Sequence, residues 1–314
     1  MNARKLLLSF FFITDSAFCG VQPVDFTYNV LKTVDQRVNE VNDQFEYIVN
    51  NLNFSIDSSN PMPGARSGWV NGVPVMIFTS SLIDVVFYTT ELTALYMADN
   101  KWEGCYNEYS EYLRSSYSDM MMQMQNYSPL SHLIPPEKYG YSCSGINKYY
   151  PFDGWLKAKR DQSAANAIAF IYLHELSHLF YRHEAIDTKN MSDLDRQDAN
   201  CKTRKMEKDA DILAARKLVK FGWERSALDT TTWMVMLNTG VIETSRNGNL
   251  DHPTALERMS YTLDEVRGAI ISSGGQVSRE MSEAIDEAKA LVKKADKQLG
   301  AEYNSELGII TCDN

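Results

Sequence analysis

No apolar run of about 18 residues occurs anywhere in the chain, so no segment has the length and continuity of a membrane-spanning helix. A Lys/Arg-rich stripe is also missing. The 31 Lys+Arg stand against 41 Asp+Glu, a formal net charge of −10, which argues against nucleic-acid phosphates as a partner. Repeats with a period of roughly 20–50 residues are absent, which excludes solenoids and propellers. Glycine (16) and proline (9) are too sparse for a collagen-like or low-complexity chain. Cysteine and histidine number five each; the cysteines form neither a CxxC pair nor a Cys/His zinc spacing, and are too few for a disulfide-dense miniprotein. What remains is globular. The chain has 314 residues, 44% hydrophobic and 23% charged, enough for a sizeable core in one large or two small domains and too apolar for disorder to be its main state.

The first 19 residues read as a secretory signal peptide. Arg4 and Lys5 precede the apolar run Leu6–Ile13, broken only by Ser9, and small residues follow up to Cys19-Gly20. The alternative is a buried N-terminal element in a cytoplasmic protein. Lipidation of Cys19 is disfavoured, because Phe18 is too large for the position before a lipidated cysteine. Removing Cys19 leaves Cys105, Cys143, Cys201 and Cys312, an even set able to form two disulfides in an oxidising compartment. The expected location is therefore periplasmic or secreted.

Downstream, residues 24–53 read as one helix. Leu31, Val34, Val38, Val41, Phe45, Ile48 and Leu52 alternate three and four apart, a seam able either to pair with a second copy through 31–52 or to pack on its own domain. The last helix carries a second stripe from Met281 and Ile285 to Leu299. Val73–Thr79 is a strand, with Pro74 pointing to an edge position, and a helix starts at Ser80. Ten of the seventeen tyrosines lie between Tyr96 and Tyr150, marking either an insert or lid over about 96–155 or a tyrosine packing layer. Helices are expected near 163–183, 192–220, 225–239 and 253–271. The organisation that follows is a signal segment 1–19, an N-terminal amphipathic helix within 20–60, a catalytic-size domain 61–275 and a C-terminal helix within 276–314. The fold class is mostly α with a small sheet.

The chemistry concentrates in His174-Glu175-Leu176-Ser177-His178, inside a helix apolar almost all round. Histidines four apart lie on one helical face, about 40° from each other, so both rings reach one ion. Glu175 projects about 100° away, placed to take a proton from a zinc-bound water rather than to bind the metal. The bland alternative is a pair of hydrogen-bonded core histidines. A third ligand is required. His183 falls one residue short of the extended HExxHxxGxxH position, where Glu184 stands, and reads as a last-turn residue facing solvent or the helix C-terminus. Glu207 and Asp211, four apart on a later helix, fit better: Glu207 as ligand, Asp211 as hydrogen-bond partner of a ligand histidine. Glu184 and Asp187 are the fallbacks, and a solvated acidic face is the alternative.

HELSH followed by ExxAD resembles the gluzincin metallopeptidases, nearest the HtpX/CAAX-prenyl-protease-type family and the Lit-type phage-exclusion peptidases. VPVMIFTSSLID (73–84) and His252-Pro253-Thr254-Ala255-Leu256-Glu257-Arg258 resemble further segments of that group, so the matches span about 73–260. The departures are Thr254 in place of the group's second proline, a longer tyrosine-rich segment, and the missing membrane spans. The resemblance implies an α+β zincin-like fold, one zinc ion on His174, His178 and Glu207, Glu175 as base, and His252 as transition-state donor. The expected activity is zinc-dependent endopeptidase cleavage of a protein or peptide, held as an extended strand along the 73–79 edge. The alternatives are a zinc-stabilised binding or chaperone module without peptidase activity, and a cytosolic toxin or phage-defence protease using the same chemistry.

Overall fold

A computed structural model describes residues 22–125, 130, 132–146, 154–188, 190–224, 226, 253 and 255–290, save 280, 284, 287 and 288. All of the expected 225–239 helix but residue 226, and most of the last helix, lie outside these residues, although Met281 and Ile285 are buried. The chain is mostly helical with one small sheet.

The N-terminal helix is shorter than its seam predicts. Helix α1 (Pro23–Glu40) starts on a proline in its first turn, where the missing N–H costs nothing. It ends where Asn42 adopts the left-handed conformation, φ 45°. The Asn42 and Asp43 N–H groups then bond back to Asn39 and Val38, closing a Schellman turn with asparagine in the usual glycine place. Asp43 accepts the Phe45 N–H, and the chain re-enters a short helix, α2 (Glu46–Asn51). Local turn chemistry thus overrides the heptad pattern. Leu31, Val34, Val38, Phe45 and Ile48 are buried within the chain's own core. The seam is covered without a second copy.

Three strands follow: β1 (Asn53–Asp57), β2 (Ala65–Val70) and β3 (Val73–Thr79). Their order is β1-β3-β2, β1 parallel and β2 antiparallel to β3. The two-residue turn Asn71-Gly72 has positive φ at both positions (50° and 79°), the type I′ pattern that matches strand twist. The expectation that Val73–Thr79 forms an edge is therefore corrected: β3 is the central strand. Pro74 is tolerated because Val70 and Val73, flanking the turn, are the bonded pair of the hairpin, so Trp69 and Pro74 form a non-bonded pair. The Pro74 nitrogen then faces away from β2, where β1 begins pairing only at Val75. The strand lying over the functional helix is β2.

Helix α3 (Ser80–Ala98) is capped by the Thr79 hydroxyl and buried over most of its length. It is followed by α4 (Glu103–Gln125), which a Cys105–Cys143 disulfide ties to the 132–146 segment. Cys201 is disulfide-bonded as well. Tyr109, Tyr112 and Tyr139 pack ring on ring at 4.7–5.4 Å, and the Tyr109 hydroxyl donates to the Ile134 carbonyl at 2.7 Å. In this part the tyrosines form a packing layer.

Helix α5 (Gly154–Tyr181) extends nine residues further back than its apolar run suggests; Lys157 and Arg160 both pair with Asp161 in that first part. From Ala164 to Leu176 it is buried, enclosed by α1, α3, β2 and the next helix. Helix α6 (Asp193–Phe221) is capped by Ser192 and stopped at left-handed Gly222, close to the expected bounds. Helix α7 (Ala255–Ser272) packs on α6.

Candidate metal centre

Two long helices bring the site together. On α5, His174 and His178 present their Nε2 atoms 3.0 Å apart. Across from them on α6, Glu207 places Oε2 3.3 Å from His174 Nε2 and Oε1 3.3 Å from His178 Nε2. One atom from each residue lies within 4.8 Å of the others. Ligands at about 2.0–2.1 Å from a tetrahedral zinc ion stand about 3.3 Å from one another, so the spacing fits one such ion. Small residues permit the approach: Ala210, Ala214 and Ala215 of α6 are fully buried. The fallback carboxylates Glu184 and Asp187 are exposed and outside this cluster.

The charges agree with a cation site. Burial disfavours the His174 imidazolium, yet the Asp211 and Glu207 carboxylates outweigh it and lift its pKa to about 10. The field that favours a proton there equally favours a metal cation competing for the same lone pair. Asp211 is fully buried and lies 2.8 Å from His174 Nδ1. Burial pushes its carboxyl up, but Arg258 and His174 hold it well below the usual range. Arg258 grips both Asp211 oxygens at 2.7 Å, and the Tyr261 hydroxyl donates to Oδ2 at 2.6 Å. A carboxylate so saturated fixes the His174 ring and leaves Nε2 as the nitrogen facing the centre.

Glu175 sits off the ligand face, as its position predicts. The Ser67 hydroxyl of β2 lies 2.7 Å from Glu175 Oε2 and 3.0 Å from its backbone carbonyl, so the buried carboxylate is tied toward the sheet. Two residues on, Trp69 donates its indole N–H to the Leu179 carbonyl at 3.0 Å.

His183 is placed differently from expectation. Instead of facing solvent, its Nδ1 lies 3.0 Å from His178 Nδ1. The cause is the end of α5: Arg182 is left-handed, φ 54°, and the Arg182 and His183 N–H groups bond back to Leu179 and His178, a Schellman turn that folds His183 onto the ligand face. Burial, with His178 adding to it, lowers the His183 pKa to about 4. With its Nδ1 engaged by the His183 ring, His178 turns Nε2 toward the centre.

His174, Glu175, His178, Glu207 and Asp211 are thus assembled in one place. His252 lies outside the described residues. Ser67, Arg258, Tyr261 and the inward-facing His183 carry no signature in the spacing, except that Arg258 belongs to the segment 252–258 singled out by resemblance.

Neither the curated proteins nor the solved structures include a match to the chain. A family model, Peptidase U49, matches residues 106–278, which is 173 of the 314 residues (278 − 106 + 1) and takes in all of α5, α6 and α7. The HExxH helix, the helix bearing Glu207 and Asp211, and the helix that supplies Arg258 all fall within that match, and the chain belongs to the Peptidase U49 family.

Proposed function

We propose that the chain is a zinc-dependent endopeptidase of the gluzincin type, with His174, His178 and Glu207 as zinc ligands and Glu175 as general base. Family membership supports a peptidase and hence a protein or peptide substrate. The observation that carries the zinc reading is the convergence of two histidines and one glutamate within 4.8 Å, beside a second glutamate held off the ligand face by Ser67. A bound zinc ion supplies a Lewis acid and a water of lowered pKa. The protein does the rest. Glu175, fixed by Ser67, takes the proton of the attacking water and delivers it to the leaving amine. Asp211, with Arg258 and Tyr261 behind it, holds His174, and His183 holds His178. The edge of β2, rather than β3, pairs with the extended peptide backbone, since β2 lies against α5 beside Glu175. His252 remains a candidate oxyanion donor. The Cys105–Cys143 disulfide supports work in an oxidising compartment after export.

Glu175→Gln tests this reading. It is expected to retain one zinc per chain by elemental analysis and to lose 10²–10⁴-fold or more in peptide hydrolysis, the usual worth of a general base. Wild-type protein that binds no zinc, or a zinc-loaded Glu175→Gln that cleaves at the wild-type rate, overturns it. A non-catalytic zinc module would be indifferent to Glu175→Gln.

A further inference from the structure

The turn that folds His183 inward also presents Arg182. That residue occupies the left-handed position after α5, φ 54°, where glycine is free of strain and a long side chain is not. Retaining arginine there sets a side chain at a backbone cost, and such outliers cluster where a side chain is needed. The Arg182 guanidinium lies over the Trp69 ring, 4.4 Å from its centroid. Trp69 is itself fixed by its bond to the Leu179 carbonyl. Arg182 is exposed and has no carboxylate partner among the described residues, in a chain of net charge −10. A guanidinium held over an indole by cation–π attraction spends no N–H group on that contact, so its fork is left to grip a carboxylate with two hydrogen bonds.

Its place along β2 sets the distance from the chemistry. Ser67 contacts Glu175, and Trp69 is the next residue on the same face of the strand, about 7 Å along it. A peptide laid on that edge with its scissile bond at Glu175 brings a side chain about two residues away beside Trp69 and Arg182. The exposed valines Val70 and Val73 flank the spot at the hairpin tip. We infer that Arg182, backed by Trp69, is a specificity determinant that selects peptides carrying a carboxylate about two residues from the cleaved bond. The inference rests on the peptidase reading for the position of that bond, and the carboxylate has two sources: an Asp or Glu side chain, or the peptide's own C-terminus.

The test uses zinc-loaded full-length protein and two peptide sets. One set has both termini blocked and Glu, Gln or Lys scanned over the positions flanking the scissile bond; the other has Gln throughout and a free C-terminal carboxylate. Binding to Glu175→Gln by fluorescence anisotropy reads the preference without turnover, and kcat/KM of protein with Glu175 intact reads it with turnover. A Glu-over-Gln ratio of about 10 is expected at one position, from one charge-assisted bidentate contact. It should fall below about 2 in Arg182→Gly, and Lys at that position should reverse from worst to neutral. Arg182→Gly relieves the backbone, so its melting temperature should not fall, and lost preference cannot then be put down to misfolding. Preference confined to the free-terminus set assigns the carboxylate to the C-terminus. A ratio that survives Arg182→Gly, or no preference in either set, overturns the inference. Selective binding that Arg182→Gly abolishes, without any cleavage by wild type, would overturn the peptidase reading and leave Arg182 as a carboxylate-binding residue with no scissile bond to measure from.

Discussion

Helix α6 carries two buried charge clusters, and they end differently. Around Asp43, Lys217 bridges both carboxylate oxygens at 2.6 and 2.8 Å, Lys220 adds a third contact at 2.6 Å, and the Phe45 N–H a fourth. Lys217 lies over the Phe45 ring, and Lys220 leads from the cluster to solvent, its side chain 48% exposed. Six residues before Lys217, about 9 Å along the helix, Asp211 is equally saturated, by Arg258, Tyr261 and His174. Its last partner differs. The His174 ring passes on to a second nitrogen that faces His178 and Glu207. Burial opposes ionisation of both carboxyls, and in both the neighbouring cations win. A depressed pKa therefore does not separate a clamp from a site. The separating feature is where the chain of contacts stops: on ammonium groups for Asp43, on three converging atoms able to hold a metal ion for Asp211.

Removing each carboxylate should break the comparison most sharply. Asp43→Ala leaves the Lys217 ammonium buried without its partner, and Asp211→Ala leaves Arg258 with only Glu207 at 3.9 Å; each should lose about 3–5 kcal/mol of stability, read by chemical denaturation. Zinc affinity of the native state should divide them. Asp211→Ala should weaken it 10–100-fold, and Asp43→Ala should leave it unchanged. If Asp43→Ala lowers zinc affinity as far, the two clusters are one network and the distinction fails.

A third buried carboxylate supplies the case with no cation bound to it. Glu91 of α3 is 4% exposed, and its Oε1 has no hydrogen-bond partner among the described residues. Burial drives its pKa up to about 8, only partly countered by Arg160. The folded chain thus holds a proton that the unfolded chain, titrating near 4.5, gives up. Stability should fall as pH rises from about 4.5 to about 8 and level off above, the reverse of the sign at Asp43 and Asp211. Glu91→Gln mimics the neutral acid, so it should gain a few kcal/mol over wild type at pH 8.5 and little at pH 4.5. Denaturation midpoints at the two pH values check this, and a parallel offset at both would show that Glu91 is ionised in the fold.

Legibility in the sequence follows the range of each contact. His174, His178 and Glu175 sit within one helical turn and a half, and Glu207 with Asp211 within another, so helical spacing alone places them. Ser67 meets Glu175 from 108 residues away, and Arg258 meets Asp211 across 47; a hydroxyl in a strand and an arginine in a helix give no local sign of such partners. Pro74 misled because a proline excludes only a ladder bond on its own side, and that side of β3 is unpaired at Pro74. The seam of α1 misled by one turn, since Asn42 and Asp43 carry turn chemistry that apolar periodicity does not register. His183 was legible as a histidine near the motif but not as an inward one, because its direction depends on a single left-handed φ at Arg182.

That last residue also offers the finest test of the comparison, at the open end of the site. His183 is half-buried, so replacing it uncovers no charge and opens no sealed core. Asp211 holds His174 through a carboxylate, whereas His183 holds His178 through a neutral nitrogen at 3.0 Å, and a neutral hydrogen bond is the weaker support. His183→Phe keeps the ring volume and its stacking on Tyr181 while removing the acceptor. Zinc affinity should fall by about 10-fold, the low end for a partner behind a ligand, with the melting temperature of the metal-free protein unchanged. His183→Gln returns an acceptor of similar reach and should recover most of that loss, which a purely steric role could not explain. Equal zinc affinity in wild type and His183→Phe would mean that His178 orients itself through Glu207 alone, and that only the Asp211 side of the centre is built to hold a ligand in place.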